Sequence, residues 1–193
     1  MVINQAASSV QSSVRVADGV DHVISFVAIY NKKDALCFQA GIGIRLDAIL
    51  RQEVALGHTV ADESFTAYAL INHIVPAERR RTGWCFYPGD EAEIARTAQQ
   101  HVDDVLTTPE VQALLSSVVD VPSYVAAVEQ SRWPFLTVLE PYTAALIVLG
   151  RVTDAFEHAA KAERQMIAVV AERGLQLRDE DLIFLRNVQK LVQ

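Results

Sequence analysis

Leu36-Cys37-Phe38-Gln39-Ala40-Gly41-Ile42-Gly43-Ile44-Arg45-Leu46 alternates strictly: Leu36, Phe38, Ala40, Ile42, Ile44 and Leu46 fall on one face, and Cys37, Gln39, Gly41, Gly43 and Arg45 on the other. A period of two is the signature of a strand with one buried face, and a register slip of one residue would expose every large apolar side chain. The stretch therefore predicts a strand whose Leu36, Phe38, Ile42 and Ile44 lie under helices. Upstream, His22 to Asn31 is apolar on both alternating faces, as a central strand requires, and Asn31-Lys32-Lys33-Asp34 has hairpin length. Downstream, Phe65 to Val75 runs as a third strand until Pro76, and Trp84 to Tyr87 as a short fourth until Pro88-Gly89. Val14 to Val20 can add an edge strand, while Gln5 to Ser13 reads as a frayed start.

All six prolines lie at or after Pro76, and the β-branched and aromatic residues are densest before it. Sheet first and helices afterwards is the order of an α+β domain, here a four- to five-stranded, mainly antiparallel sheet packed by helices. One domain over residues 1–193 is expected, with 14–89 mainly sheet and 90–193 mainly helical. Asp90 and Glu93 have the spacing of a capping box, and Ile94, Ala98, His101 or Val102, and Val105 form an apolar stripe behind it. Thr108-Pro109 opens another helix, with Val111, Leu114, Leu115 and Val118 at i, i+3, i+4 and i+7. A shorter helix follows Pro122. The last third predicts a helical hairpin, Pro141 to Leu149 and Asp154 to Arg173, closed by Gly174, and a final helix from Asp179. Trp133, Pro134 and Phe135 are expected to form a buried joint ahead of that hairpin.

The 193 residues are 51% hydrophobic and 21% charged, which is globular composition, and the net charge is −7. An acidic balance disfavours nucleic acid, whose affinity comes from Lys and Arg neutralising phosphates. No run of about 18 apolar residues appears, so no membrane span is expected. Two cysteines, Cys37 and Cys85, are too few for a disulfide scaffold and have no zinc spacing, so both read as reduced core thiols. With no signal-like start, the expected compartment is the cytosol.

No local motif assembles a catalytic or metal site, and no cofactor is implied. Gly41-Ile42-Gly43 lacks the third glycine and the strand-to-helix turn of a phosphate loop; glycines on a strand face mark a bulge or a close approach of another element. The five histidines, His22, His58, His73, His101 and His158, are too far apart for a local metal box. His158, four residues after Asp154, reads as an ordinary helical pair, and His101 edges an apolar stripe. Asn72-His73, near a strand end, is the better candidate for chemistry, beside the competing reading of a half-buried structural histidine. Glu78-Arg79-Arg80-Arg81 is the basic run; three guanidiniums can hold an anion, or simply form a solvated loop.

Charge distribution carries more. Residues 1–89 hold eight acidic and eight basic side chains, whereas 90–120 hold Asp90, Glu91, Glu93, Asp103, Asp104, Glu110 and Asp120 against Arg96 alone. A field of one sign accelerates association with an oppositely charged partner; a soluble helix face is the alternative.

Val23-Ile24-Ser25-Phe26, Phe38 to Ile44, Trp84 ahead of Asp90, Trp133-Pro134-Phe135-Leu136, and Leu149-Gly150-Arg151 with Asp154-Ala155 occur in an order that resembles the uncharacterised bacterial family catalogued as domain of unknown function 4304. The resemblance covers roughly residues 14–175. It implies an antiparallel sheet packed with helices and brings no catalytic residue. That family's strand pattern often has a polar residue before the glycine, where this chain has Ala40.

The first functional expectation is a non-enzymatic protein-binding module: a cytosolic immunity protein or antitoxin that neutralises a basic bacterial toxin through Asp90 to Asp120. The second is a small enzyme or ligand-binding protein using Asn72, His73 and Arg79 to Arg81 on an anionic small molecule. The third is a structural oligomerisation domain, with no oligomeric state fixed by the sequence.

Overall fold

The computed structural model describes residues 9–32, 35–60, 65–80, 84–87, 91–130, 139–174 and 179–191. Three long strands, β1 (Ser9–Ala17), β2 (Val20–Lys32) and β3 (Ala35–Leu46), pair antiparallel in sequence order. β4 (Ala67–Leu70) and β5 (Trp84–Phe86) then share the far edge of β3, pairing at Gly41–Ile44 and at Leu36–Phe38. The five-stranded antiparallel sheet matches the α+β expectation.

The alternation of β3 decides which face is buried. Ile24 pairs with Ile42, Phe26 with Ala40, and Ile42 with Ala69, and these side chains belong to one buried cluster with Phe38, Ile44 and Leu46. Leu36 pairs with Phe86, but its side chain lies outside the described set. The same cluster takes Val111, Leu114, Leu115 and Val118 from the predicted Pro-initiated helix α4 (Pro109–Ser117) and its C-terminal boundary. It continues through Tyr124 and Val125 of α5 (Val121–Glu129), Ala144 to Leu146 of α6 (Leu139–Val148), Ala155 and Ala159 of α7 (Val152–Arg173), and Phe184, Leu185 and Val188 of α8 (Asp179–Lys190). Gly174 ends α7 at φ +63°, the left-handed conformation that glycine adopts without Cβ strain.

The opposite face of the sheet explains the two glycines of β3. A Cβ on Gly41 would collide with the Tyr68 phenol, and one on Gly43 with the Phe65 ring. The two rings, 5.0 Å apart, lie over the bare backbone, and Ser25 Oγ donates to the Tyr68 oxygen at 3.1 Å. Side chains on the sheet, rather than a helix or a phosphate, occupy the space the glycines leave.

A helix that the sequence pattern does not predict, α1 (Asp47–Ala55), follows β3 directly. Four expectations are corrected. The predicted strand from Phe65 to Val75 breaks after Leu70 into the one-turn helix α2 (Ile71–Ile74). Ser9 to Ser13, read as frayed, form the first half of β1. Cys37 and Cys85 form a disulfide: the β3–β5 register sets them opposite each other with their Cα atoms 4.0 Å apart. Counting cysteines could not anticipate that pairing, and the bond withdraws the thiol argument for a reducing compartment, because disulfides persist where the surroundings are oxidising. The fourth concerns His158, described below. Asp90 and the Trp133-Pro134-Phe135 joint lie outside the described residues.

Candidate functional site

The acidic stretch divides into side chains with three different tasks. Asp120 is the N-cap of α5: its Oδ1 accepts from the Ser123 backbone N–H at 2.8 Å, and the Ser123 hydroxyl accepts from the Asp120 N–H at 3.0 Å. Hydrogen bonding to the Ser123 side chain, and then to its backbone N–H, holds the Asp120 carboxyl below its ordinary range. Glu110, on α4, is ion-paired with Arg79, which comes from a single 3-10 turn at Ala77–Arg79. The remaining carboxylates belong to α3 (Glu91–Leu106). Val105 is buried and Val102 packs against the core, while Glu93, Arg96, Gln100 and Asp103 are exposed and Asp104 is half-buried. Glu91 opens the helix, its side chain outside the described set.

Asp103 and Asp104 lie in the last turn of α3, which contains no basic residue. Aligned peptide dipoles place partial negative charge at a helix C-terminus, so carboxylates there oppose the helix. Asp103 is steadied by Gln99, whose Nε2 donates to Oδ1 at 2.8 Å. Asp104 also lines a cleft of about 460 Å³ with Ile71, Val75, Arg79 and Thr108.

The residues proposed from sequence for an anionic ligand are not gathered around that cleft. Asn72 and His73 are on α2, with His73 exposed, and neither lines it. Arg79 is held by Glu110, Arg80 is exposed, and Arg81 lies outside the described residues.

Two clusters had no sequence motif. In the first, Glu53 of α1 is 4% exposed, and its Oε1 has no hydrogen-bond partner among the described residues. Oε2 is 3.7 Å from His58 Nε2. Burial, and secondarily the charge of Glu140, push the Glu53 carboxyl up to about 8. Tyr124 is raised too, by burial first and then by Glu53 and Tyr142. The sequence pattern predicts no helix over Asp47–Ala55, so nothing in it marks Glu53 as a buried residue.

In the second cluster, His158 of α7 meets α6. Its Nδ1 is 3.1 Å from Thr143 Oγ1, and its ring stands edge-on to Tyr142 at 4.9 Å. The expected pairing with Asp154 is replaced, because Asp154 accepts from Arg151 Nε at 2.7 Å. The reason is helix geometry across the hairpin: Thr143 is fully buried on the facing helix and offers a closer polar partner.

Among the described residues, no group of three or more His, Cys, Asp and Glu side chains is placed to hold a metal ion. No single described helix is long and apolar enough to cross a membrane; α4 and α5 together reach the length but are bent by 118°. Comparison with protein-family models, with curated proteins and with solved structures finds no match to this chain, so its functional reading rests on its own residues.

Proposed function

We propose that the chain is a non-enzymatic protein-binding module of the immunity-protein or antitoxin kind, neutralising a basic bacterial toxin by direct contact through α3. The observation that carries this reading is the pair Asp103 and Asp104 at the C-terminal turn of α3, where the helix dipole makes carboxylates unfavourable. The helix dipole disfavours that placement, the Gln99 bond offsets part of the cost at Asp103, and a basic partner would gain from it. Glu93 extends the acidic surface, with Arg96 the one basic residue between Asp90 and Asp120.

The reading separates binding from stability. Asp103→Lys/Asp104→Lys puts positive charge where the dipole favours it, which offsets the lost Gln99 bond and the approach of a lysine to Arg79, so the melting temperature should stay close to that of wild type. Association with the partner recovered by co-purification from the native host should slow by about tenfold or more, within the range of electrostatic steering. Added salt should slow the wild-type protein in the same way, because exposed charges are screened within about 10 Å at 0.1 M ionic strength. A kinetic binding assay on both proteins measures this. An association rate indifferent to salt and to reversal reduces α3 to a solvated helix face.

A further inference from the structure

A groove of about 510 Å³ runs along α7, lined by Tyr142 and Leu146 of α6 and by Asp154, Glu157, His158, Lys161 and Arg164, with Phe156 and Ala160 beside them. Its volume lies within the range of small-molecule sites. The hydrogen bonds behind it fix the state of the imidazole. Thr143 Oγ1 donates to the Leu139 carbonyl at 2.6 Å, which uses its one hydroxyl proton. At His158 Nδ1, 3.1 Å away, the hydroxyl oxygen can then only accept, so Nδ1 carries the proton and Nε2 presents a lone pair. Nε2 has no partner among the described residues. Burial, and then the charge of Lys161, lower the His158 pKa, which keeps that lone pair available at neutral pH.

The ring is also held from behind. Tyr142 stands edge-on to it, and the Tyr142 hydroxyl donates to Glu129 at 3.3 Å. Arg151 ties Glu129 to Asp154 by bonds of 2.9 and 2.7 Å. Arg151 divides its one charge between Glu129 and Asp154, and the charges of the lining balance, Asp154 and Glu157 against exposed Lys161 and Arg164. An acceptor nitrogen beside the two exposed cations, Lys161 and Arg164, matches an anion that still carries a proton.

We propose that this groove binds a small phosphate monoester: the ester's acidic P–OH donates to His158 Nε2, Lys161 and Arg164 take the anionic oxygens, and the organic part lies along Tyr142 and Leu146. The site lies on α6 and α7, away from α3, and stands independently of the protein-binding reading. It takes the class of ligand expected from the sequence at Asn72, His73 and Arg79 to Arg81, at a different place in the fold.

Sulfate is the discriminating control at pH 6.5, where about a quarter of a phosphate monoester keeps its P–OH, its second pKa being about 6, whereas sulfate has the shape of phosphate but no proton and would set an oxygen against the Nε2 lone pair. The experiment titrates the protein at pH 6.5 with phenyl phosphate, inorganic phosphate and sodium sulfate at constant ionic strength, following the His158 ring nitrogens by NMR. Both phosphates should move Nε2 and bind about tenfold or more tightly than sulfate. Lys161→Ala/Arg164→Ala, which alters only exposed side chains, should abolish that binding, and His158→Asn should erase the preference over sulfate. Equal binding of sulfate, an unmoved Nε2 resonance, or full binding by Lys161→Ala/Arg164→Ala overturns the proposal whether or not His158→Asn folds. Sedimentation with phosphatidic acid vesicles, without response to the soluble esters, overturns the small-molecule source.

Discussion

Glu53 puts a carboxyl where the geometry of α1 calls for an apolar side chain. Ile49, Glu53 and Leu56 occupy one face at i, i+4 and i+7 and are all buried, while Val54 is 58% exposed. The folded protein retains the Glu53 proton up to about pH 8, whereas the unfolded chain loses it near the ordinary glutamate value of 4.5. Between those values the native state binds more protons than the unfolded state, so stability falls as pH rises through that window. By pH 7 the difference is about 3 kcal/mol, at roughly 1.4 kcal/mol per unit. Glu53→Gln keeps the shape and cannot ionise. It should therefore be more stable than wild type by about 1 to 3 kcal/mol at pH 7 to 8, with the gain vanishing below about pH 4.5. Urea midpoints over a pH series measure this, and a variant no more stable than wild type at pH 8 would show that the carboxyl is solvated.

At the scale of elements, α5 depends on its first turn. The Asp120–Ser123 box satisfies two backbone donors at a helix start that carries Pro122. Asp120→Ala should destabilise the protein by about 1 kcal/mol, and since the Asp120 pKa is depressed, the effect should be full above the ordinary carboxylate range and fade as pH falls through the folded value. Equal stability of Asp120→Ala and wild type at pH 7 would mean that packing of Tyr124 and Val125 alone holds the turn. This box also shows how legibility varied. Alternation made β2 and β3 readable, and the stripe at Val111, Leu114, Leu115 and Val118 made α4 readable, because one physical period ran unbroken through each. In α1 the stripe is interrupted by the buried Glu53, and no Gly or Pro separates it from β3, so periodicity had nothing to report. α2 hides in an apolar run whose composition suits a strand equally well. The α3 carboxylates were visible as charge, but their position against the helix dipole needed the observed end of α3 at Leu106. His158 was visible only as a helical neighbour of Asp154; its partner Thr143 lies 15 residues away on another helix.

For the whole molecule, the Cys37–Cys85 bond is the connection that single elements do not reveal. It joins β3 to the three-residue β5 across a sequence separation of 48 and encloses α1, β4 and α2 in one covalent loop. α3 packs on β5, and His101 Nε2 lies 3.5 Å from the Cys85 carbonyl oxygen, so the acidic helix is moored to the sheet through a strand too short to be stable by pairing alone. Closing a loop of that length removes conformational freedom from the unfolded chain, worth about 2 to 4 kcal/mol. Cys37→Ala/Cys85→Ala, or the wild-type protein held in a dithiol reductant, should lose about that much stability, equivalent to a fall of roughly 2 to 4 °C in melting temperature per kcal/mol. The denaturant slope should rise slightly, because the uncrosslinked chain unfolds to a more open ensemble. Amide exchange would locate the change: protection should drop first at Trp84 to Phe86 and in α3, while β2 and the Gly41–Ile44 pairing of β3 with β4 remain protected. A urea midpoint unmoved by reductant, with thiol titration confirming that the bond is open, would show that β5 is held by packing and that α3 does not depend on the disulfide.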